Sequence, residues 1–135
     1  KKCYGKNLLE KASLFCEEQK KGFEIENVRN DDYDSYFTTS DGQRNCRIHI
    51  KFDKEYDIHR VVLKENIKKS QRIEAFRILT VHDGSEKCVF EGTVVGYKKI
   101  ALLDQIQTKE LVKELVIEII DSRVAPTLSY IGIFE

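Results

Sequence analysis

The chain has 135 residues, of which 41% are hydrophobic and 10% aromatic, enough for one packed domain but not for a second core. Lysine plus arginine and aspartate plus glutamate each number 23, so the formal net charge is zero. This balance argues against a nonspecific nucleic-acid or anionic-membrane binder, which usually carries a basic excess. Because the sequence begins at Lys1 rather than at methionine, we expect a segment of a longer protein.

The cysteine pattern argues against two common cysteine motifs. The four cysteines are Cys3, Cys16, Cys46 and Cys88. None of them is in C-x-x-C spacing, as a zinc knuckle or a thioredoxin-like motif would require. Four cysteines in a chain of this length are a weak disulfide signal, so we expect buried thiols in preference to disulfides.

The hydrophobic pattern predicts β-strands along most of the chain. Residues 7–15 fit either a short amphipathic helix or a leading strand, and a charged turn follows over 17–22. Further along the period becomes two, where Ile48, Ile50 and Phe52 alternate with polar residues as in a half-buried strand. Further strands are predicted over 60–63, 75–79, 88–93, 115–120 and 131–134.

Turn-forming residues separate these predicted strands at short intervals. One example is Asp83-Gly84, which predicts a hairpin between the strands predicted over 75–79 and 88–93. Short strands, polar turns and almost no helical periodicity predict an all-β fold, either a sandwich or a jelly roll. No internal boundary is marked, so we expect a single domain over 1–135.

Motifs of enzyme chemistry do not occur in the sequence. It contains no G-x-S-x-G elbow, no H-E-x-x-H and no glycine-rich phosphate loop. Its histidines, His49, His59 and His82, fall in different predicted segments, and a shared metal site would need them to converge in space. We therefore predict no catalytic residues in this chain.

The segment 27–39 combines carboxylates, hydroxyls and three aromatic residues in one irregular stretch. Oxygen-rich loops of this kind can hold Ca²⁺, which takes about six to eight oxygen ligands. The alternative is a hydrogen-bonded turn in which Tyr36 or Phe37 fills the core. The residues by themselves favour this alternative.

The segment 63–73 is a long polar connection between two predicted strands. It offers a carboxylate, two amides and a guanidinium, from Glu65, Asn66, Gln71 and Arg72. Sugar hydroxyls both donate and accept hydrogen bonds, so a sugar site needs such a mixture of planar polar groups. The commoner structure for this composition is a solvated charged loop.

The segment 92–100 has two glycines close to Tyr97, which suggests a bulge that redirects side chains. In that arrangement the Tyr97 ring can stack on the C–H face of a sugar while Lys98 binds a hydroxyl. The alternative is an ordinary strand with Tyr97 half-buried at its edge. The residues leave both interpretations open.

These segments resemble a known family. The stretch 28–37 is similar to the A-L-D-G-D-x-D-T-Y-W signature of discoidin domains, also called coagulation-factor C-type or galactose-binding-like domains. The pieces V-L-x-E-x-I, Q-R, G-T-x-x-G-Y-K and A-P-T-L-S follow in order and resemble the C-terminal β-sandwich domain of bacterial α-L-fucosidases. The resemblance covers 25–135 and implies a jelly-roll β-sandwich of about eight main strands.

The resemblance implies a noncatalytic companion of a glycoside hydrolase. Fucosidase chemistry lies in a separate (β/α) barrel of roughly 250 residues, which does not fit in this chain. We therefore expect the parent protein, and not this chain by itself, to be the enzyme. The expected carbohydrate-binding residues are Glu65, Asn66, Gln71, Arg72, Tyr97 and Lys98.

The resemblance also implies a structural Ca²⁺ beside the sugar-binding loops, although no cofactor is required. Carried over position by position, the candidate ligands are Asn30, Asp32, Ser35 and Glu135. Asn30 stands where the family usually has Asp, and Tyr130 stands where it often has a Glu that closes the site. Each lost carboxylate weakens a site for a hard cation.

The sequence leaves three functions open. The first is binding of a fucose- or galactose-containing glycan by an accessory domain of a secreted, periplasmic or cell-surface hydrolase. The second is a structural domain that packs on the catalytic barrel and stabilises it, which predicts an exposed apolar patch. The third is a protein-binding discoidin module. We expect neither nucleic acid nor a membrane as a partner.

Overall fold

The computed structural model describes residues 7–29, 36–40, 42–66, 72–82, 84–93, 95, 99–102 and 111–134. They form ten β-strands: β1 (Ala12–Cys16), β2 (Phe37–Thr38), β3 (Cys46–Tyr56), β4 (Arg60–Lys64), β5 (Ile73–His82), β6 (Ser85–Gly92), β7 (Lys99–Leu102), β8 (Val112–Ser122), β9 (Thr127–Leu128) and β10 (Tyr130–Phe134). Two short 3₁₀ helices span Leu8–Lys11 and Ile25–Arg29. Both helices are too short to cross a membrane, and the described residues contain no other candidate span.

The strands build an antiparallel sandwich. One sheet has five strands in the order β1-β3-β8-β5-β6, and a second has three in the order β10-β4-β7. A small two-stranded ribbon joins β2 to β9. This arrangement confirms the predicted all-β class and is consistent with a jelly-roll sandwich. Eight of the described strands have four or more residues, in agreement with the eight main strands expected.

Period-two alternation decides which face of β3 is buried. Ile48 and Ile50 lie opposite Ile117 and Leu115 of β8, and all four side chains are fully buried. The register is strongly fixed, because a shift of one residue would move this apolar set to the opposite face of the sheet. The strand predicted over 47–52 is therefore confirmed, and it extends further in both directions.

The other face of the five-stranded sheet carries an ion-pair ladder. Glu118 of β8 lies opposite Arg47 of β3 and Arg77 of β5. Its carboxylate binds Arg47 at 3.4 Å and Arg77 at 2.5 Å. The hydrogen bond to Glu118 raises the pKa of Arg77 above its ordinary value. These exposed or half-buried pairs contribute little to stability.

The three-stranded sheet closes the core from the other side. Val61 and Leu63 of β4 lie opposite Ile133 and Ile131 of β10, and all four are buried. They belong to the same hydrophobic cluster as the inward residues of β3 and β8. The two sheets therefore share one core, as expected for a sandwich of this length.

The segment predicted as either a helix or a leading strand contains both elements. A 3₁₀ turn over Leu8–Lys11 runs directly into β1. The Asn7 side chain caps this turn, and its Oδ1 accepts from the N–H of Leu9 at 3.0 Å and from that of Ile133 at 2.9 Å. This side chain thereby ties the start of the described chain to β10.

The predicted hairpin at Asp83-Gly84 is present at the level of the strands. His82 of β5 pairs with Ser85 of β6, and Gly84 has a φ of 83°, which favours glycine. Asp83 itself lies outside the described residues. The short connection places β6 at the edge of the sheet.

The cysteine expectation is correct at two positions and wrong at one. Cys16 and Cys46 are buried free thiols, whereas Cys88 is exposed. The reason is a register shift in the β5–β6 pairing, where Ile78 pairs with Phe90 but Leu79 pairs with Cys88. The intervening Val89 takes the buried position. Cys3 lies outside the described residues.

Candidate functional site

A groove of about 430 Å³ lies at the end of the sandwich where β5 begins and β8 ends. We call it the ribbon groove, because the β2–β9 ribbon contributes to its wall. Its described lining residues are Lys20, Tyr36, Thr38, Thr39, Gly42, Arg72, Ala125 and Thr127. They come from four separate parts of the chain that the fold brings together.

The β2–β9 ribbon sets the direction of the aromatic side chains. Phe37 pairs with Leu128 and is completely buried, so it is the residue that fills the core. Tyr36, one position earlier, lines the groove, and its ring packs on that of Phe23 at 4.9 Å between centroids. The Asn27 side chain donates to the Tyr36 carbonyl at 3.0 Å and holds this position.

Backbone pairing positions the rim of the groove. The N–H of Lys20 donates to the Thr38 carbonyl at 3.0 Å, and the N–H of Ser40 donates to the Glu18 carbonyl at 2.9 Å. The Lys20 ammonium lies over the Phe23 ring at 5.5 Å. These bonds link the segment after β1 to the segment after β2, so the two segments form one wall.

Arg72 is held from three directions. Its N–H donates to Glu65 Oε1 at 2.7 Å, and its carbonyl accepts from the N–H of Arg123 at 2.9 Å. Its Nη1 donates to the Ala125 carbonyl at 3.0 Å. The guanidinium is therefore fixed against the loop after β8, where it lines the groove. Of the expected sugar-binding residues that the structure describes, Arg72 lines this groove and Glu65 and Asn66 do not.

Glu65 and Asn66 lie inside the fold. Glu65 is 1% exposed, and its Oε1 accepts from the N–H groups of both Arg72 and Ile73, the second at 3.1 Å. Asn66 is fully buried. The solvated-loop interpretation is therefore wrong at these two residues, because both are buried and Glu65 accepts hydrogen bonds from the backbone at the start of β5. Direct contact of either residue with a sugar stays a prediction.

The remaining expected ligands lie outside the described residues. They are the sugar candidates Gln71, Tyr97 and Lys98 and the calcium candidates Asn30, Asp32, Ser35 and Glu135. Within the described part of the chain, no three histidine, cysteine, aspartate or glutamate side chains converge as metal ligands. The calcium site therefore stays a prediction, and the ribbon groove is defined without it.

Several groove residues escaped the sequence prediction, among them Lys20, Thr38 and Thr127. Tyr36 lies one residue before the short strand β2, whose two residues are both buried, so no alternation marks Tyr36 as a groove residue. Thr127 is buried, and its hydroxyl has no hydrogen-bond partner among the residues that the structure describes. Such an unpaired buried hydroxyl is uncommon in folded proteins.

A second groove of about 390 Å³ lies at the opposite end of the five-stranded sheet. Its described lining residues are Lys51, Glu55, Val81, His82, Gly84, Lys113 and Glu114. It consists mainly of flexible charged side chains. The ribbon groove, in contrast, combines a phenol ring, a fixed guanidinium, an ammonium and hydroxyls. This combination provides the stacking surface and the planar donors that bind hydroxyl-rich ligands.

Comparison with known proteins gives one family match and three similar proteins. The family model described as anaphase-promoting complex, subunit 10 (APC10) matches residues 5–78. Alpha-L-fucosidase 1 of Arabidopsis thaliana is 27% identical over 138 residues, which cover 97% of this chain and 26% of that protein. A GH29 fucosidase of Ruminococcus gnavus, solved in complex with fucose, superposes with a TM-score of 0.84 at 25% identity, covering 98% of this chain and 27% of that one.

The third relative is a single module. The family 32 CBM from NanJ of C. perfringens, solved in complex with galactose, superposes with a TM-score of 0.76 at 12% identity. The match covers 95% of this chain and 96% of the module, and it shows a shared fold. This chain thus spans about a quarter of the fucosidases that it matches and nearly the whole of a stand-alone module.

Proposed function

The chain belongs to the family described as anaphase-promoting complex, subunit 10 (APC10), a family of galactose-binding-like domains. We propose that it is a noncatalytic carbohydrate-binding domain of a GH29 fucosidase-type protein. The observation that carries the proposal is the extent of the matches. Nearly the whole chain aligns with about a quarter of each fucosidase and with almost all of a module solved with galactose. We place the parent protein in a secreted, periplasmic or cell-surface setting.

We propose the ribbon groove as the sugar site. The Tyr36 ring offers a face for the C–H surface of a pyranose, and the fixed Arg72 guanidinium offers planar donors to its hydroxyls. The unpaired Thr127 hydroxyl gains a partner from a bound hydroxyl or from a water that the ligand holds. The expected ligand is a fucose- or galactose-containing glycan.

The expected ligands fall into two groups in this proposal. Gln71, Tyr97 and Lys98 remain candidates for direct contact with the sugar. Glu65 acts by positioning, since its carboxylate holds the backbone of Arg72 from the buried side, and Asn66 is fully buried. A shallow single site of this type binds at about 0.1–1 mM, or roughly −4 to −5.5 kcal/mol.

Titration calorimetry with fucose, galactose and oligosaccharides that contain them tests the sugar site. Arg72→Ala is expected to weaken binding about tenfold or more, because a charge-assisted hydrogen bond contributes about 1.5–3 kcal/mol. Lys113→Ala removes a cation from the second groove and serves as the matched control, with an expected change below about twofold. Circular dichroism confirms that both variants are folded.

Two results would contradict the sugar site. One is an absence of binding by the unmodified chain at roughly tens of millimolar sugar. The other is a folded Arg72→Ala variant with unchanged affinity.

A second candidate function is packing against the catalytic barrel of the parent chain. The observation that favours it is Phe15 on edge strand β1, which is 56% exposed beside the ring of His49. The other exposed large apolar side chains of the described residues are Ile100, Leu111, Ile120 and Val124. They are spread over β7, β8 and the segments beside β8, so they are not gathered on a single strand.

A further inference from the structure

Two thiols meet inside the sandwich at the ends of neighbouring strands. Strand β1 ends at Cys16 and β3 begins at Cys46. The register pairs Cys16 with Ile48, which makes Cys46 its diagonal neighbour two residues away on the same inward face. The two side chains are 1% and 4% exposed, so both thiols are buried on the inner side of the sheet.

We propose that Cys16 and Cys46 form a reversible disulfide that closes 17–45 into a covalent loop. This loop supplies five of the eight described residues that line the ribbon groove. The five are Lys20, Tyr36, Thr38, Thr39 and Gly42. The bond would therefore join the two ends of the chain segment that forms one wall of the groove. The proposal concerns the thiols themselves and does not depend on the identity of the ligand.

The geometry needs only a local adjustment. A disulfide requires the sulfurs to approach to about 2 Å, with Cα atoms about 4.4–6.8 Å apart. Diagonal neighbours in a regular antiparallel pair are about 7–8 Å apart, so the two backbones must move closer together. Both cysteines are terminal residues of their strands, where the ladder ends and the backbone can shift.

The folded chain keeps the second thiol protonated. The neighbouring Cys16, together with burial, raises the pKa of Cys46 far above its ordinary value. The Cys16 thiol donates to Glu18 Oε1 at 3.5 Å. Thiol exchange therefore requires local opening of the strand ends that hold the two cysteines.

The oxidant is a small disulfide such as oxidised glutathione. One of the two cysteines loses its proton, attacks one sulfur of the small disulfide and expels a glutathione thiolate, which leaves a mixed disulfide on that cysteine. The other cysteine then gives up its proton, attacks the protein sulfur of the mixed disulfide and expels the second glutathione thiolate. The two cysteines are oxidised, the glutathione disulfide is reduced to two thiols, and the two cysteine protons end on them. Access follows from opening of β1, an edge strand.

The test uses the full chain carrying Cys3→Ser and Cys88→Ser, which leaves only the two buried cysteines. The folded protein is exposed to oxidised glutathione, digested without reductant and mapped by mass spectrometry. The expected product is one peptide pair linked through Cys16 and Cys46, lighter by two hydrogens. The expected melting temperature is roughly 5–10 °C higher than that of the reduced protein, and it returns after addition of a reductant.

The control variant adds Cys46→Ser to the same background and is expected to show no oxidation-dependent shift in melting temperature. The proposal is overturned if both thiols remain reduced in the folded chain, if each carries glutathione without forming the link, or if the link forms only in denaturant. Because these readouts need no sugar, they succeed or fail separately from the titrations of the ribbon groove.

Discussion

Glu65→Ala is expected to lower the free energy of unfolding by about 3 kcal/mol, because it leaves two buried backbone N–H groups without their acceptor. These are the N–H groups of Arg72 and Ile73, which share one oxygen of the carboxylate. The same change removes the support under the Arg72 backbone, so sugar affinity should fall with stability. Urea denaturation followed by circular dichroism measures the first effect, and titration of the folded fraction measures the second.

Two comparison variants separate the hydrogen bonds from the charge. Glu65→Gln keeps an oxygen acceptor of the same shape and should recover at least half of the lost stability. Glu74→Ala removes an exposed carboxylate from β5, two residues beyond Arg72, and should change stability by less than about 0.5 kcal/mol. If Glu65→Ala were as stable as Glu74→Ala, the internal role of Glu65 would be wrong.

Phe37→Ala is expected to cost about 3–5 kcal/mol, because it opens a cavity under the β2–β9 ribbon. Phe37 is completely buried and lies opposite Leu128, one residue away from the groove-lining Tyr36. Thermal and urea unfolding of the variant measure the loss. In a domain of this size, the melting temperature should fall by about 10 °C or more.

Phe15→Ala is the matched control for Phe37→Ala. It removes the same side chain from a position that is 56% exposed, and the expected cost is below about 1 kcal/mol. Equal losses in the two variants would show that Phe37 is not the core residue of this end of the sandwich. A large loss in Phe15→Ala alone would contradict the assignment of β1 as an exposed edge strand.

The strands of the core could be predicted because their signal is local. The alternation at Ile48, Ile50 and Phe52 directly reports a half-buried strand, and the register with β8 then follows from burial of the same face. The hairpin at Gly84 has an equally local signal in its turn residues. These elements agree with the expectation because neighbouring residues determine them.

The groove could not be assembled from the sequence in the same way. Tyr36 precedes β2 and Phe37 begins it, and the sequence does not indicate which of these two aromatic residues faces the core. That choice depends on pairing with Leu128, about 90 residues later in the chain. The burial of Glu65 could not be predicted for a related reason, since a charged residue is usually exposed unless the fold supplies partners for it. Its partners are backbone N–H groups, which the sequence does not distinguish.

The resemblance favoured a sugar-binding accessory domain over a structural or protein-binding one, and the structure bears on where such a site would lie. Of the described residues expected to bind sugar, Arg72 lines the ribbon groove, while Glu65 and Asn66 are buried. Tyr36 joins Arg72 there, although the sequence indicated it only as one of two candidates for the core. The proposed site therefore rests on residues from both approaches.

The most direct test of the central proposal is a titration of the ¹⁵N-labelled chain with fucose and galactose, followed by amide NMR spectra. The account predicts saturable shifts at the amides of Thr38, Gly42 and Thr127 in the ribbon groove. It predicts no shifts at Val81 and Lys113 in the second groove. Shifts confined to the second groove, or none at roughly tens of millimolar sugar, would contradict it.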